Sequence, residues 1–160
     1  MKGYDLIQTN MKHAFKLPYS LFLITGLLVI ILSFFHSAET IDIHVHDTYY
    51  VIAENFIFLA LALFFLFFWI AYSAGRTVIY KKSLVWLHFI LTALSALFIL
   101  SCILYGYRYY SLDIGVKRYM NKMNHVIILA TLVLIFAQLI FLVNMIIGLI
   151  RKLAGMDNLG

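Results

Sequence analysis

The sequence predicts an all-α integral membrane protein in which four transmembrane helices form an antiparallel up-down bundle. Of the 160 residues, 64% are hydrophobic, only 12% are charged, and the mean hydropathy is +0.98. The apolar residues fall into four runs of about 20 to 27 residues, long enough to cross a bilayer core as helices. Basic residues flank these runs, as they do in membrane proteins.

The four runs cover about residues 14–35, 49–73, 83–106 and 124–150. We expect helices throughout, because lipid offers no hydrogen-bond partner to an open backbone and the alternation typical of barrel strands is absent. Pro18 suits the first turn of the first helix. Gly75 is a typical residue after the end of the second. No linker divides the chain, so the sequence predicts one domain over residues 1–160.

The basic residues predict the orientation in the membrane. Eight lie before or at the start of the first run, in the second connection or after the last run: Lys2, Lys12, Lys16, Arg76, Lys81, Lys82, Arg151 and Lys152. Four lie in the third connection, residues 107–123: Arg108, Lys117, Arg118 and Lys122. The positive-inside rule then places both termini in the cytoplasm and residues 36–48 outside. We expect the bacterial inner membrane, with the lipid bilayer and no nucleic acid as partner.

A polar cluster lies in the predicted outer segment. His44, His46 and Asp47 form a His-x-His-Asp pattern, with His36 nearby. Imidazole and carboxylate groups at this spacing can hold Zn²⁺, Cu²⁺ or, through the carboxylate and water, Mg²⁺. The alternative is an interfacial polar loop without a metal. The sequence leaves both interpretations open.

Glu54 lies about five residues into the second apolar run. A carboxyl at this depth costs a few kcal/mol unless it is neutral or paired, so we expect it to face the protein interior. Arg108 and His125 lie at a compatible depth and are its predicted partners. One interpretation is an acid that handles protons or faces a quinone. The other is a buried hydrogen bond that fixes the helix register.

Further polar residues lie within the apolar runs, among them His88, Gln138 and Asn144. Hydrogen bonding to a neighbouring helix is their expected role, with a lipid headgroup as the alternative partner of His88. Haem ligation by two histidines needs a pair at similar depth inside the bundle. His88 lies near the inner side of the membrane and His125 at its outer edge, and the other histidines lie outside the runs. The sequence therefore predicts that no haem is bound.

The segment from His46 to Ala53 reads His-Asp-Thr-Tyr-Tyr-Val-Ile-Ala. It resembles the opening of the haem-bearing helix in subunit I of the haem-copper oxidases, which reads His-Asp-Thr-Tyr-Tyr-Val-Val-Ala. In that family two haem-ligating histidines follow. In this chain Glu54 and Phe56 occupy the matching positions. The resemblance therefore covers a redox motif without its haem ligands.

Other segments resemble the same subunit in the same order, so that the chain from about residue 20 onward is similar to its helices nine to twelve. The matching segments are 24–26, 86–89, 107–111, 138–144 and 151–158. The resemblance implies that His46 and Asp47 correspond to residues that help bind Mg²⁺ at the family's outer face. It also implies that Arg108 corresponds to one of two arginines that hold haem propionates.

We therefore expect a non-catalytic relative of oxidase subunit I that acts as an accessory, assembly or scaffold subunit in a respiratory complex. Its expected partners are other membrane subunits or further copies of itself. One alternative is a small metal- or quinone-binding redox component that uses His44, His46, Asp47 and Glu54. Another is an independent homo-oligomer with a transport pathway gated by Glu54. No cofactor is expected beyond a divalent cation at the outer face.

Overall fold

A computed structural model describes residues 18–35, 40–45, 47–110 and 114–155. Within these ranges, the description of residues 42–45, 49, 105–110 and 114–124 is limited to the backbone. The elements in chain order are α1 (Ser20–Phe35), β1 (Thr40–Val45), β2 (Thr48–Ala53), α2 (Glu54–Ala74), α3 (Lys82–Tyr110) and α4 (Ile114–Leu153). The described part of the chain is therefore mainly helical, as predicted.

Three helical segments are long and apolar enough to cross a membrane: Glu54–Ala74, Lys82–Leu104 and His125–Leu153. The fourth predicted span corresponds to α1, which has 16 residues. This is shorter than the ~20 apolar residues that a spanning helix usually needs. Residues 14–17 of that predicted span lie outside the described ranges. The fourth span thus stays a prediction.

The predicted start of the second span at residue 49 is wrong. Residues 49–53 belong to β2, which pairs antiparallel with β1 in a register that sets Thr40 opposite Ala53 and Val45 opposite Thr48. Two residues connect the strands. β-Branched and aromatic residues dominate β2 and favour an extended backbone. The helix begins only at Glu54, after the last residue of the strand.

The predicted third connection, residues 107–123, is also wrong as a loop. α3 continues to Tyr110 and α4 begins at Ile114, so only residues 111–113, which are not described, lie between them. The segment contains no proline, and its Lys, Arg, Met and Tyr residues are compatible with a helix in water or in lipid. Backbone hydrogen bonding therefore continues beyond the apolar part of each helix.

The chain divides into two compact units between Thr77 and Val78. The first unit contains α1, the β-hairpin and α2, and the second contains α3 and α4. Each unit is described separately below. The single domain expected from the sequence stays a prediction.

The first unit is held together by aromatic packing between α1 and α2. The Phe22 ring is fully buried, and its centroid lies 6.2 Å from that of Phe65, 5.8 Å from that of Phe68 and 5.9 Å from that of Tyr72. The three partners recur at helical spacing and form one buried face of α2. Gly26 lets the helices approach, since a Cβ there would lie 3.3 Å from the Ala62 carbonyl oxygen.

Candidate functional site

The first candidate site is the start of α2, where the sequence resembles the oxidase motif. Glu54 is the first residue of the helix and is fully buried, whereas Phe56 is 62% exposed. Two residues along a helix correspond to a rotation of about 200°, so these side chains leave opposite faces. The two positions at which the resemblance leads one to expect haem ligands therefore point in different directions in this unit.

The backbone at the start of α2 suits a carboxyl group. Ala53 precedes the helix in an extended conformation and supplies no side-chain cap, so the first N–H groups of α2 are not satisfied from that position. A carboxylate in the first turn is stabilised by these N–H groups and by the helix dipole. Glu54 thus has a structural reason to lie at this helix end.

The predicted partners of Glu54 belong to the second unit. His125 lies in α4 and is exposed. Arg108 lies in α3, with its side chain among those that are not described. The pairing of Glu54 with either residue stays a prediction.

The predicted metal cluster falls at the tip of the β-hairpin. The backbone of His44 pairs with that of Tyr49 in the strand register. Asp47 lies in the turn and is exposed. His46 and His36 lie outside the described residues. Among the residues that are described, no three His, Cys, Asp or Glu side chains come together as a metal site. Metal binding by His44, His46 and Asp47 stays a prediction.

The second candidate site lies between α3 and α4. His88 is fully buried, and its Nε2 donates a hydrogen bond of 3.2 Å to Gln138 Oε1. Gln138 Nε2 donates to Thr92 Oγ1 at 3.4 Å and to the Leu134 carbonyl oxygen of its own helix at 2.9 Å. The Phe141 ring packs beside the imidazole, with the ring centroids 5.6 Å apart. One glutamine therefore bridges two residues of the neighbouring helix.

A second polar contact joins α4 to the segment before α3. The backbone N–H of Lys81 donates to Asn144 Oδ1 at 2.9 Å, and Asn144 is fully buried. One turn further along α4, a Cβ on Gly148 would collide with the Val78 carbonyl oxygen. The chain before α3 thus lies directly on α4. The residues whose side chains join α4 to α3 or to the segment just before it are called the polar seam: His88, Thr92, Gln138 and Asn144.

Beyond the polar seam, α3 and α4 leave an open groove of about 610 Å³. Its walls are mainly aliphatic and include two serines, whose hydroxyls donate to their own helix: Ser95 to the Leu91 carbonyl oxygen at 2.6 Å, and Ser101 to that of Leu97 at 2.8 Å. The lining residues are Leu91, Leu94, Ser95, Leu97, Phe98, Ser101, Val126, Leu129, Ala130 and Val133. The groove is therefore apolar in character.

The expectation that polar residues within the runs bond to a neighbouring helix is confirmed in the second unit for His88 and Gln138, and Asn144 bonds to the chain just before α3. Sequence reasoning missed Thr92 and the close approach at Gly148. A threonine at four residues from His88 is a usable signal, because residues four apart share a helix face. The contact at Gly148 has no comparable signal, since glycine is frequent in membrane helices.

Comparisons with models of protein families, with curated proteins and with solved structures find no match to this chain.

Proposed function

We propose that this protein is a non-catalytic membrane subunit, related to the last four helices of oxidase subunit I, that serves as an accessory, assembly or scaffold component of a respiratory complex. In this proposal it resides in the bacterial inner membrane with four spans and both termini in the cytoplasm. Three apolar helices of spanning length support the membrane location.

The observation that carries the proposal is the environment of the two ligand-equivalent positions. One holds a buried carboxyl, Glu54, and the other an exposed phenyl ring, Phe56. A phenyl ring donates no electron pair to iron, and haem ligands in such proteins are imidazole, thiolate, thioether or phenolate groups. The buried His88 is engaged with Gln138. These residues support a role in helix packing and subunit contact.

The groove between α3 and α4 supports the same role. Small residues let helix backbones approach closely in lipid, and the groove walls include Ser95, Ser101 and Ala130. Because the serine hydroxyls bond to their own helix, a partner meets an apolar, shape-defined surface. We propose that a transmembrane helix of another subunit occupies it.

The first experiment is purification of the tagged full chain from native membranes in mild detergent, with an absorbance spectrum, metal analysis and identification of co-purifying proteins. The proposal expects stoichiometric respiratory subunits and no haem bound by this chain, so any Soret band from co-purified subunits is unchanged in His88→Ala and His125→Ala. A stoichiometric Soret band that disappears on His88→Ala or His125→Ala contradicts it. A divalent cation that is lost in His46→Ala and kept in His13→Ala supports the redox alternative.

A groove-filling variant tests the subunit contact. Ala130→Phe adds a ring inside the groove, so it should reduce recovery of the partner subunits at least several-fold. Ile128→Phe is the matched control, because Ile128 lies on the same helix, is 57% exposed and does not line the groove. Equal recovery with both variants contradicts docking in the groove.

Glu54 separates the scaffold proposal from the proton- or quinone-linked alternatives. Glu54→Gln keeps the size and hydrogen-bonding capacity of the neutral acid, so assembly should be retained, whereas Glu54→Leu should weaken it. The measurements are detergent melting and co-purification of both variants. If Gln abolishes a proton- or quinone-linked activity of the complex while assembly stays intact, the scaffold proposal fails.

A further inference from the structure

The end of the second unit at which α3 begins and α4 ends carries an unusual arrangement of cations. The Nζ atom of Lys81 lies 5.2 Å from the centroid of the Tyr80 ring, and the Cζ atom of Arg151 lies 5.3 Å from the same centroid. A cation within about 6 Å of an aromatic centroid is attracted by the ring. One tyrosine ring therefore contacts two cationic side chains.

The backbone contacts described above fix this arrangement. Lys81 is attached to α4 through the bond from its own N–H to Asn144, and Val78 contacts Gly148. Gly148 and Arg151 follow Asn144 by four and seven residues, so all three lie on one face of α4. The segment that carries Tyr80 and Lys81 thus lies along the face that presents Arg151.

No carboxylate offsets these charges within the described residues of the second unit, since 78–110 and 114–155 contain neither Asp nor Glu. Lys82 and Lys152 add two more exposed cations to the same helix ends. The dipole of α4 favours Arg151 and Lys152 at its C-terminus, but the dipole of α3 disfavours Lys81 and Lys82 at its N-terminus. Helix dipoles therefore account for only half of the charge.

The position of the cluster indicates its surroundings. Lys81 immediately precedes the apolar helix Lys82–Leu104, and Arg151 lies in the last turn of His125–Leu153. Both side chains are exposed at the boundary of a spanning segment, where phospholipid phosphates lie. A tyrosine ring is suited to this boundary, because it is apolar with one polar end.

We propose that Lys81 and Arg151, held by Tyr80, bind the phosphate of an anionic phospholipid headgroup. A guanidinium can donate two parallel hydrogen bonds to a phosphate, and the lysine ammonium adds a second, less directional charge. The acyl chains of that lipid then run along the apolar surfaces of α3 and α4. This site is independent of the proposed subunit role. It lies where α3 begins and α4 ends, whereas the groove lies further along both helices.

The experiment is native mass spectrometry of the full-length protein in detergent, titrated with dioleoylphosphatidylglycerol or with dioleoylphosphatidylcholine. Each basic residue near an anionic lipid contributes about fivefold in affinity, so Lys81→Gln or Arg151→Gln should weaken phosphatidylglycerol binding about fivefold and the double variant about 25-fold. Lys81→Gln keeps the backbone N–H that donates to Asn144, so the fold is preserved and the single variant is informative alone.

Lys117→Gln is the matched control, since it removes one cation from the opposite end of α4. We expect it to change phosphatidylglycerol binding less than about twofold. Equal binding of the two lipids by wild type, or an equal loss in Lys117→Gln, overturns the proposal. Inorganic phosphate is the third arm: if it displaces the lipid at equal concentration, the site binds free phosphate and the lipid assignment is wrong.

Discussion

The two units of this protein join their helices by different means. In the first, α1 and α2 meet through the Phe22 ring and three aromatic rings of α2, with Gly26 allowing close approach. In the second, α3 and α4 meet through the polar seam and the contact at Gly148. The contacts described for the first interface are aromatic packing and a close approach at glycine, whereas those of the second include directional hydrogen bonds between side chains.

The difference teaches what can hold helices together in lipid. Apolar surface gains little from leaving lipid for a helix interface, so the first unit must depend on close contact between rings. Hydrogen bonds in the second unit specify which residues face each other, because Gln138 bonds to both His88 and Thr92 of α3. The two interfaces should therefore respond to different substitutions.

The largest expected effect is the loss of the Phe22 ring. Phe22→Ala leaves a cavity among three aromatic partners and should lower the free energy of unfolding by about 3 kcal/mol, mainly through lost packing. Phe34→Ala is the control, because Phe34 is on the same helix but 74% exposed, and its change should stay below about 0.5 kcal/mol. The free energy of unfolding of each variant is measured in mixed detergent with an increasing fraction of dodecyl sulfate. Similar values for the two variants contradict the packing account.

The second prediction compares the two glycine contacts. Gly148→Ala places a methyl group against the Val78 backbone and should cost about 2 kcal/mol, in spite of a helix-propensity gain of about 1 kcal/mol. Gly26→Ala meets the flexible Leu66 side chain at 3.1 Å and the Ala62 carbonyl oxygen at 3.3 Å, so it should be nearly neutral. The same unfolding assay measures both. A neutral Gly148→Ala shows that the segment before α3 moves easily.

The third prediction tests the hydrogen bonds of the polar seam. Gln138→Leu removes the contacts to His88 and Thr92 and should cost about 1 kcal/mol, in the range measured for interhelical bonds in membranes. A double-mutant cycle with His88→Leu isolates the pair, and a coupling energy of roughly 0.5 to 1 kcal/mol is expected. A coupling energy of zero contradicts the proposed contribution of this bond.

The sequence was sufficient to predict three long apolar helices and the hydrogen bonding of His88, Gln138 and Asn144. Apolar runs of spanning length identify helices in lipid, because no other open structure satisfies the backbone there. A polar side chain within such a run needs a partner, which points to His88, Gln138 and Asn144. These predictions rest on the energetic cost of an unsatisfied polar group and need no knowledge of the tertiary structure.

The β-hairpin could not be predicted in the same way. In the sequence, the two residues between its strands are His46 and Asp47, and they lack the Asn-Gly or Asp-Gly pattern that marks tight hairpins. Residues 49–53 are apolar and continue directly into α2, so hydropathy joins the strand to the helix. The contact of Lys81 and Arg151 with the Tyr80 ring was not predicted either, because the two cations are far apart in the sequence.

The smallest expected effect concerns Thr92, whose hydroxyl accepts the long 3.4 Å bond from Gln138. Thr92→Val keeps the shape of the side chain and removes only this acceptor, so the cost should be about 0.5 kcal/mol. Thr131→Val is the matched control: the Thr131 hydroxyl is exposed and bonds to the Ile127 carbonyl oxygen of its own helix at 2.9 Å, so its loss leaves the interface unchanged. Measured beside Gln138→Leu in the same detergent, Thr92→Val should also make no further difference once Gln138 is leucine, because the donor has gone. If both threonine variants cost the same, the hydrogen bond between Gln138 and Thr92 contributes nothing to holding the helices together.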